Sequence, residues 1–383
     1  MTAAPILRIE PVFLRISEKT VWSFLSLTTK DGRSAIGEAT LQGKELVLRE
    51  EIGNLASAFA GLAADPEQLP PLSEADARNP ARAAAYSALD QALWDIAAQR
   101  LEKPLCNLLG AKPRDRIPLY ANINRRTVDR SPDGFAASAR DARALGYQAI
   151  KIAPFDGLSP RIASTKEGKH LIDAGLVRIA ALRSTIGAEP MLLVDCHWRL
   201  DEASAATVLR EVHSFDLYWL ECPLPETPEN LDALVRLRHI ANDLGIRLAG
   251  AETRSLLTGF QPFLTAGAYD VMMPDVKYAG GLKEMLRIAE AFARAGVAFS
   301  PHNPTGPVAH AVSLHAAAVA DGFTYLETQF DESPLFRTIV AGDLPQPEAG
   351  VSRLPHLPGH GLRLRNGGLP MWEGRPTVTV GSG

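Results

Sequence analysis

The sequence predicts an α/β fold, an eight-stranded barrel preceded by a small α+β unit, and three observations carry that prediction. After Arg116, eight short apolar runs alternate with helical segments. The first forty residues instead alternate apolar and polar side chains, in the manner of sheet without helices. The last six apolar runs each end near a polar residue, at Asp195, Glu221, Glu252, Asp275, His302 and Glu327, separated by 26, 31, 23, 27 and 25 positions. One strand, one helix and two loops take about 25 to 30 residues, the step expected when every unit of a barrel delivers one group to the same mouth.

In chain order, ILRIEPVFLRI and VWSFLSLTT read as strands, and Lys30-Asp31-Gly32 is a turn signature leading to an antiparallel third strand, SAIGEA. From Pro80 the period becomes 3.6, with Ala84, Ala88, Leu89, Ala92, Leu93, Ile96 and Ala97 on one helical face, and Gly110 closes the helical region. The barrel runs are IPLYANI, YQAIKIA, MLLVDC, LYWLEC, IRLAGAE, YDVMMPD, GVAFSPH and FTYLET. An open doubly wound sheet is the competing arrangement, but no GxGxxG or GxxxxGK[ST] loop follows any of these strands. Phe155 to Ala174 has loop composition on the face where barrels place their chemistry, and is a lid candidate. Beyond Glu327 the Pro/Gly-rich stretches GDLPQPEAG and RLPHLPGHG suit a strap returning to the first unit. The expected division is residues 1–115, 116–345 and 346–383.

Composition narrows the function. Forty Lys+Arg against 44 Asp+Glu give a net charge of −4, with no cationic excess for nucleic acid or an anionic membrane. Cys106, Cys196 and Cys222 are widely spaced without a CxxC pair, so neither a disulfide framework nor a thiolate zinc site is expected, and a reducing cytoplasm fits. MTAAPILRIE lacks the features of a signal peptide, and the longest stretch free of acidic and basic residues, Ala295 to Ala320, holds prolines and histidines unsuited to lipid. The expected setting is cytoplasmic, with no membrane span.

A lone carboxylate after a strand is commonly a helix cap or a surface charge. Asp195, Glu221 and Glu252, from three consecutive strands, would crowd three negative charges together, which is unfavourable unless a divalent cation sits among them. Oxygen-only ligands favour Mg²⁺ over zinc or copper.

The motifs GEA, SALDQALWDIAAQRLEKPLCNLLG, VDCHW, LECPLPE, AGAET, MMPDVKYAGG, SPHN and YLET, in this order, resemble the enolase superfamily in its mandelate racemase-type branch, over essentially the whole chain. The resemblance implies a modified TIM barrel, (β/α)7β, closed by an α+β capping domain built from the N-terminal region and the C-terminal tail. It implies Mg²⁺ held by Asp195, Glu221 and Glu252, and a homo-oligomer. The muconate-lactonising branch carries a lysine where this chain has Asp275, so Asp275 with His302 resembles the His–Asp dyad of the racemase type. A carboxylate on one imidazole nitrogen fixes the tautomer and frees the other to take a proton. Lys277, two residues from Asp275 on the same strand face, is given a supporting role. DCHWRL resembles the D-H-x-R segment of sugar-acid dehydratases, in which the histidine, here His197, protonates the departing hydroxide. Lys151 matches the first lysine of the family's KxK pattern; Ala153 replaces the second, which disfavours a two-base racemase and leaves Lys151 to neutralise the substrate carboxylate or enolate. Glu327 matches the eighth-strand glutamate that donates a proton to the enolate-forming carboxylate.

Asn122, Asn124, Asn303 and Lys44 are candidate contacts to substrate hydroxyls, and the loops Ile16 to Thr20 and Thr40 to Leu46 are expected to line the pocket. His310 and His315, five apart on a helix, do not form an i,i+4 ligand pair, and helix packing explains them. His170, His213, His239, His356 and His360 have no partner motif. The expected activity is Mg²⁺-dependent dehydration of a small sugar acid to a 2-keto-3-deoxy acid. A racemase or epimerase using the same enolate, or a silent carboxylate-binding barrel, are the alternatives.

Overall fold

Three antiparallel strands open the chain, β1 (Ile6–Arg15), β2 (Val21–Thr29) and β3 (Ser34–Glu38), in a computed structural model that describes residues 3–110, 112–372 and 374. The β2–β3 turn falls on Lys30-Asp31-Gly32, where Gly32 has φ 86° and donates its N–H to Thr29 O at 3.0 Å, a left-handed position that suits a residue without Cβ. Helices α1 (Glu45–Phe59), α2 (Glu74–Ala77) and α3 (Pro80–Arg100) follow. Asn79 caps α3 by accepting from Ala81 N and Arg82 N, with Pro80 in the first turn, where its missing N–H costs nothing.

Sequence periodicity gave α3 one apolar face, yet the structure buries nearly all of it, including Ser87, Asp90, Gln91 and Asp95. The helix lies between β3 on one side and the barrel loops on the other, so its polar face is enclosed as well. Small residues permit the close approach. A Cβ on Gly37 of β3 would lie 1.9 Å from Ala88 O, which accounts for the glycine of the GEA motif.

After α4 (Cys106–Leu109) the chain alternates: β4 (Arg116–Asn122), α5 (Pro132–Ala144), β5 (Ala149–Ile152), α6 (Lys166–Ile186), β6 (Met191–Asp195), α7 (Glu202–Val212), β7 (Leu217–Glu221), α8 (Leu231–Asp243) and β8 (Arg247–Gly250). It continues through α9 (Leu256–Ala266), β9 (Val271–Met272), α10 (Leu282–Arg294), β10 (Ala298–Phe299), α11 (Pro307–Val319) and β11 (Leu326–Gln329). The parallel order is β10-β9-β8-β7-β6-β5-β4-β11. Phe299 closes the remaining seam, its N–H bonding Gly322 O at 2.9 Å and its O accepting from Thr324 N at 3.0 Å. The ring is therefore a (β/α)7β barrel rather than an open sheet. Strands β9 and β10 are only two residues long, so Asp275 and His302 stand on the loops beyond them.

Inside the ring, Tyr120, Ala149, Leu193, Trp219, Ala249 and Val271 form one buried layer, with Tyr120 and Trp219 edge to face at 5.4 Å. The segment Phe155 to Ala174 is not a lid. Phe155, Leu158 and Ala163 are buried in the core, and from Lys166 onward it is the start of α6, capped by Thr165.

The tail forms α12 (Leu335–Thr338), β12 (Val340–Gly342), β13 (Val351–Arg353) and β14 (Leu362–Leu364), with β13 antiparallel to β4. It then reaches the first sheet: Arg15 N bonds Pro370 O at 2.8 Å, Trp372 N bonds Phe13 O at 2.9 Å, and the two rings stack edge to face. The last residues of the expected strap, 375–383, lie outside the described residues.

Candidate active site

Side chains two apart on a strand share a face, so the residues one step above the interior layer point into the mouth. Lys151 stands above Ala149, Asp195 above Leu193 and Glu221 above Trp219. Asp195 and Glu221 are direct neighbours across β6 and β7, and Trp219 Nε1 donates to Glu221 Oε2 at 2.9 Å, fixing one carboxylate from below. Glu252 has the wrong parity relative to Ala249, but Ala251 between them has φ 67° and turns the chain. Cys222 (φ 46°) and His197 (φ 48°) likewise leave β7 and β6 in left-handed conformations. Strained backbone at three consecutive strand ends marks this rim as a place where geometry outranks local stability.

Lys151 is buried at the centre. Its Nζ lies 2.7 Å from Glu221 Oε1, 2.8 Å from Glu327 Oε1 and 3.8 Å from Asp195 Oδ2. Burial alone would lower its pKa, but Glu221 and Glu327 outweigh that and hold it well above the ordinary lysine value. Glu327 also accepts from Asn122 Nδ2 at 2.7 Å and Asn303 N at 2.8 Å. Burial raises its pKa, yet Lys151, His302 and these hydrogen bonds bring it below the usual range. Glu327 is thus an acceptor from Lys151, Asn122 and Asn303 in this arrangement.

Among the described residues, Glu221, Cys222 and Glu252 form an acidic group with ligand atoms within 4.8 Å of one another. Asp195, expected in that group, is turned toward His197, whose N donates to Oδ1 at 2.8 Å and whose Nε2 lies 2.9 Å from Oδ2. A cation fits the carboxylates: Glu252 Oε2 is buried without a partner, burial and neighbouring charge raise Glu221 to about 8, and Glu252 is pushed well above its ordinary value for the same reasons. Burial and the adjacent carboxylates also push the Cys222 thiol far up, so the donors suited to an ion are hard oxygens.

On the facing side, His302 Nδ1 lies 2.8 Å from Asp275 Oδ2 and Nε2 faces Glu252 Oε1 at 3.5 Å. Lys277 Nζ also bonds Asp275 Oδ2, and Lys277 N bonds Oδ1 at 2.8 Å. Burial raises the Asp275 pKa, but Lys277 and His302 prevail and lower it, so a carboxylate faces the imidazole. The His197 side chain is 40 % exposed, and the charge of Asp195 raises its pKa despite burial of the ring nitrogens. β6 ends at Asp195, so His197 lies beyond the strand, and its ring reaches Asp195 through the left-handed turn.

The amide candidates are used internally. Asn122 Oδ1 accepts from Asn124 N at 3.0 Å, Asn124 Oδ1 accepts from Ala153 N at 2.6 Å, and Asn303 Nδ2 lies 3.0 Å from both His310 Nδ1 and Glu327 O. They brace strand ends. Lys44 is exposed at the start of α1 and is not among the residues lining the mouth. A cavity of about 150 Å³ beside His302 is lined by Thr20, Thr40, Gln42, Arg125, Tyr278 and Thr305, so both expected loops contribute, and Arg125 was missed. Its place three residues past the end of β4 was the available signal. His310 and His315 are buried helix-packing residues, as expected. His360 is buried too, bonding Ile36 O at 3.0 Å and joining the tail to β3.

Residues 134–367 match the enolase C-terminal domain-like family, and residues 5–110 match the mandelate racemase/muconate lactonizing enzyme N-terminal domain. The chain belongs to the enolase superfamily. As an enolase-superfamily member it is similar to D-gluconate dehydratase of Thermoproteus tenax, 29 % identical over 99 % of this chain and 76 % of that protein. It is also similar to D-galactonate dehydratase of Xanthomonas campestris pv. campestris, 30 % identical over 78 % of this chain and 76 % of that one. The solved 3,6-anhydro-D-galactonate cycloisomerase of Zobellia galactanivorans superposes with a TM-score of 0.81 at 26 % identity, covering 94 % of this chain and 97 % of that one. No helix among the described residues is long and apolar enough to cross a membrane.

Proposed function

We propose that the protein is a Mg²⁺-dependent dehydratase of a small sugar acid, an aldonic or aldaric acid, producing a 2-keto-3-deoxy acid. The observation that carries this reading is the Asp275–His302 pair aimed at a buried carboxylate cluster that Lys151 only partly neutralises. Asp195, Glu221 and Glu252 would hold the ion. Bound there, Mg²⁺ supplies electrostatic stabilisation of the ionised substrate and lowers the cost of removing its α-proton.

The remaining work falls to side chains. Asp275 accepts from His302 Nδ1–H, which leaves Nε2 as the acceptor of the α-proton. The Lys151 ammonium opposes the negative charge that develops on the substrate carboxylate. Glu327 orients Lys151 and the backbone beside His302. His197, its proton retained through the charge of Asp195, protonates the departing 3-hydroxyl, and the resulting enol ketonises. The relatives named as sugar-acid dehydratases support this reading over epimerisation. A homo-oligomer in the cytoplasm goes with it; the free, buried thiols of Cys106, Cys196 and Cys222 suit a reducing setting, and light scattering reads the assembly.

The test is incubation with Mg²⁺ and a panel of aldonic and aldaric acids in D₂O. A 2-keto acid from one of them is the expected result. Solvent deuterium at the α-carbon with no keto acid would establish an epimerase instead, and neither product would leave a carboxylate-binding barrel.

A further inference from the structure

Glu38, at the end of β3, is fully buried, and both of its carboxylate oxygens reach backbone amides of the barrel. Its Oε1 accepts from Gly306 N at 2.8 Å and Thr40 Oγ1 at 2.8 Å, and its Oε2 accepts from Ala309 N at 2.9 Å. These amides belong to the first turn of α11, which starts five residues after His302. That helix has no side-chain cap of its own. Gly306 occupies the cap position and Pro307 follows, so the helix offers bare N–H groups that its own sequence leaves unsatisfied. The space is shaped for Glu38: a Cβ on Gly306 would lie 2.8 Å from both carboxylate oxygens. The remote glutamate thus does for α11 what a local Ser or Asp does for most helices.

The same unit also holds the other half of the dyad. Gln91 of α3 accepts from Glu38 N at 2.9 Å, and its Nε2 donates to Glu38 O at 3.3 Å and to Val276 O at 3.2 Å. Val276 stands between Asp275 and Lys277. Further along the loop, Asp90 Oδ2 accepts from Leu282 N at 2.7 Å. The loops carrying Asp275 and His302 lie beyond the two shortest strands of the barrel, where the sheet itself offers little to align them.

We infer that Glu38, seconded by Gln91, is a positioning residue that sets the Asp275–His302 geometry by anchoring the first turn of α11 to the N-terminal unit. It touches no substrate and acts through His302, so the inference rests on the reading of His302 as the base. Misplacement of a reacting group by about 1 Å costs on the order of 100-fold in rate. Loss of the anchor therefore lowers kcat, while Mg²⁺ affinity, set by groups on other strands, stays put.

The experiment compares wild type, Glu38→Ala, and the double variant Glu38→Ala/Gly306→Ser, using the full chain and the sugar acid found by the panel. Gly306 has φ −81°, so serine fits there once the carboxylate is gone, and it restores a local cap without restoring the link to β3. The expected result is a lower Tm and a kcat reduced at least tenfold in Glu38→Ala, then a recovered Tm with kcat still low in the double variant. Mg²⁺ binding by calorimetry is unchanged in both. If kcat recovers together with Tm, Glu38 is only a helix cap and the inference is overturned, as it is if Glu38→Ala keeps wild-type kcat. His302→Asn serves as the separate control: full activity there overturns the base assignment itself, whatever the Glu38 variants do.

Discussion

Lys151 Nζ sits 2.7 Å from Glu221 Oε1, so a buried ammonium of the mouth is bonded to a carboxylate proposed to hold a divalent ion. The same nitrogen reaches Glu327, and the three groups form a single buried electrostatic unit. Lys151→Met keeps the aliphatic stem and deletes the charge. Removing one partner of a buried ion pair costs roughly 3–5 kcal/mol, because the other charge stays buried without compensation. In the variant, Mg²⁺ becomes the main remaining counter-charge, so adding it raises Tm more than in wild type, while kcat falls by about 10²–10³. Calorimetry with and without Mg²⁺ checks this; equal stabilisation of both proteins would show that Lys151 and the ion do not share a field.

The dyad makes a different prediction. Asp275→Asn keeps the shape but lets an amide N–H face His302 Nδ1 and weakens the hold on Lys277, which now bonds Oδ2. The fraction of His302 with a free Nε2 lone pair drops, and kcat falls by roughly 10²–10⁴ with Mg²⁺ affinity retained. His302→Asn abolishes formation of the 2-keto acid. Persistent turnover in that variant would assign the proton abstraction to another group.

Much of this arrangement was legible because barrel units repeat. Asp195, Glu221, Asp275 and His302 follow from the step between units, and Lys151 from the resemblance to the family's KxK pattern. What escaped depends on single dihedrals and on packing between units. Glu252 itself follows from the step, but the φ 67° of Ala251 that turns it inward is a dihedral no alanine in a sequence announces. Asn122 and Asn124 look like free amides in one dimension, yet the first is bonded to Glu327 and the second to Ala153 N. The clamp on the dyad did leave a trace. Ser87, Asp90, Gln91 and Asp95 recur at helical spacing along an alanine-rich helix, a polar stripe where a solvated face would carry longer charged residues. Glu38 gave no such sign, since its partners are backbone amides more than 260 positions away.

Recognition of the substrate's far end is expected at the polar wall of the cavity beside His302. Arg125 lines it and pairs with Glu332 at 3.3 Å, and Glu332 in turn accepts from Thr20 Oγ1 at 2.7 Å. Gln42→Ala removes an amide from that wall without orphaning a charge, so KM rises about 3- to 10-fold, the loss of one neutral hydrogen bond, with kcat nearly constant. Arg125→Ala raises KM further and lowers Tm, because the buried Glu332 carboxylate loses its partner. Steady-state kinetics on the acid identified by the panel decide between this and an effect on kcat, which would move both residues into the reacting geometry.

Acid sensitivity should trace to α11. Burial pushes the pKa of His310 and of His315 down to about 3, with the nearby Arg337 charge adding to the first and His360 to the second. Each folded-state value lies below the unfolded one, so between about 6.5 and about 3 the unfolded chain binds more protons and the stabilisation from a neutral histidine is lost as pH falls. Each contributes a slope of up to about 1.4 kcal/mol per pH unit within that window. His315→Gln keeps an acceptor for Cys106 N, now bonded to Nδ1 at 3.3 Å, while removing the titration. Urea unfolding at pH 7, 6, 5 and 4 should therefore show the variant losing stability less steeply than wild type, the difference growing as pH falls. Parallel curves would place the acid lability in the carboxylates of the mouth instead.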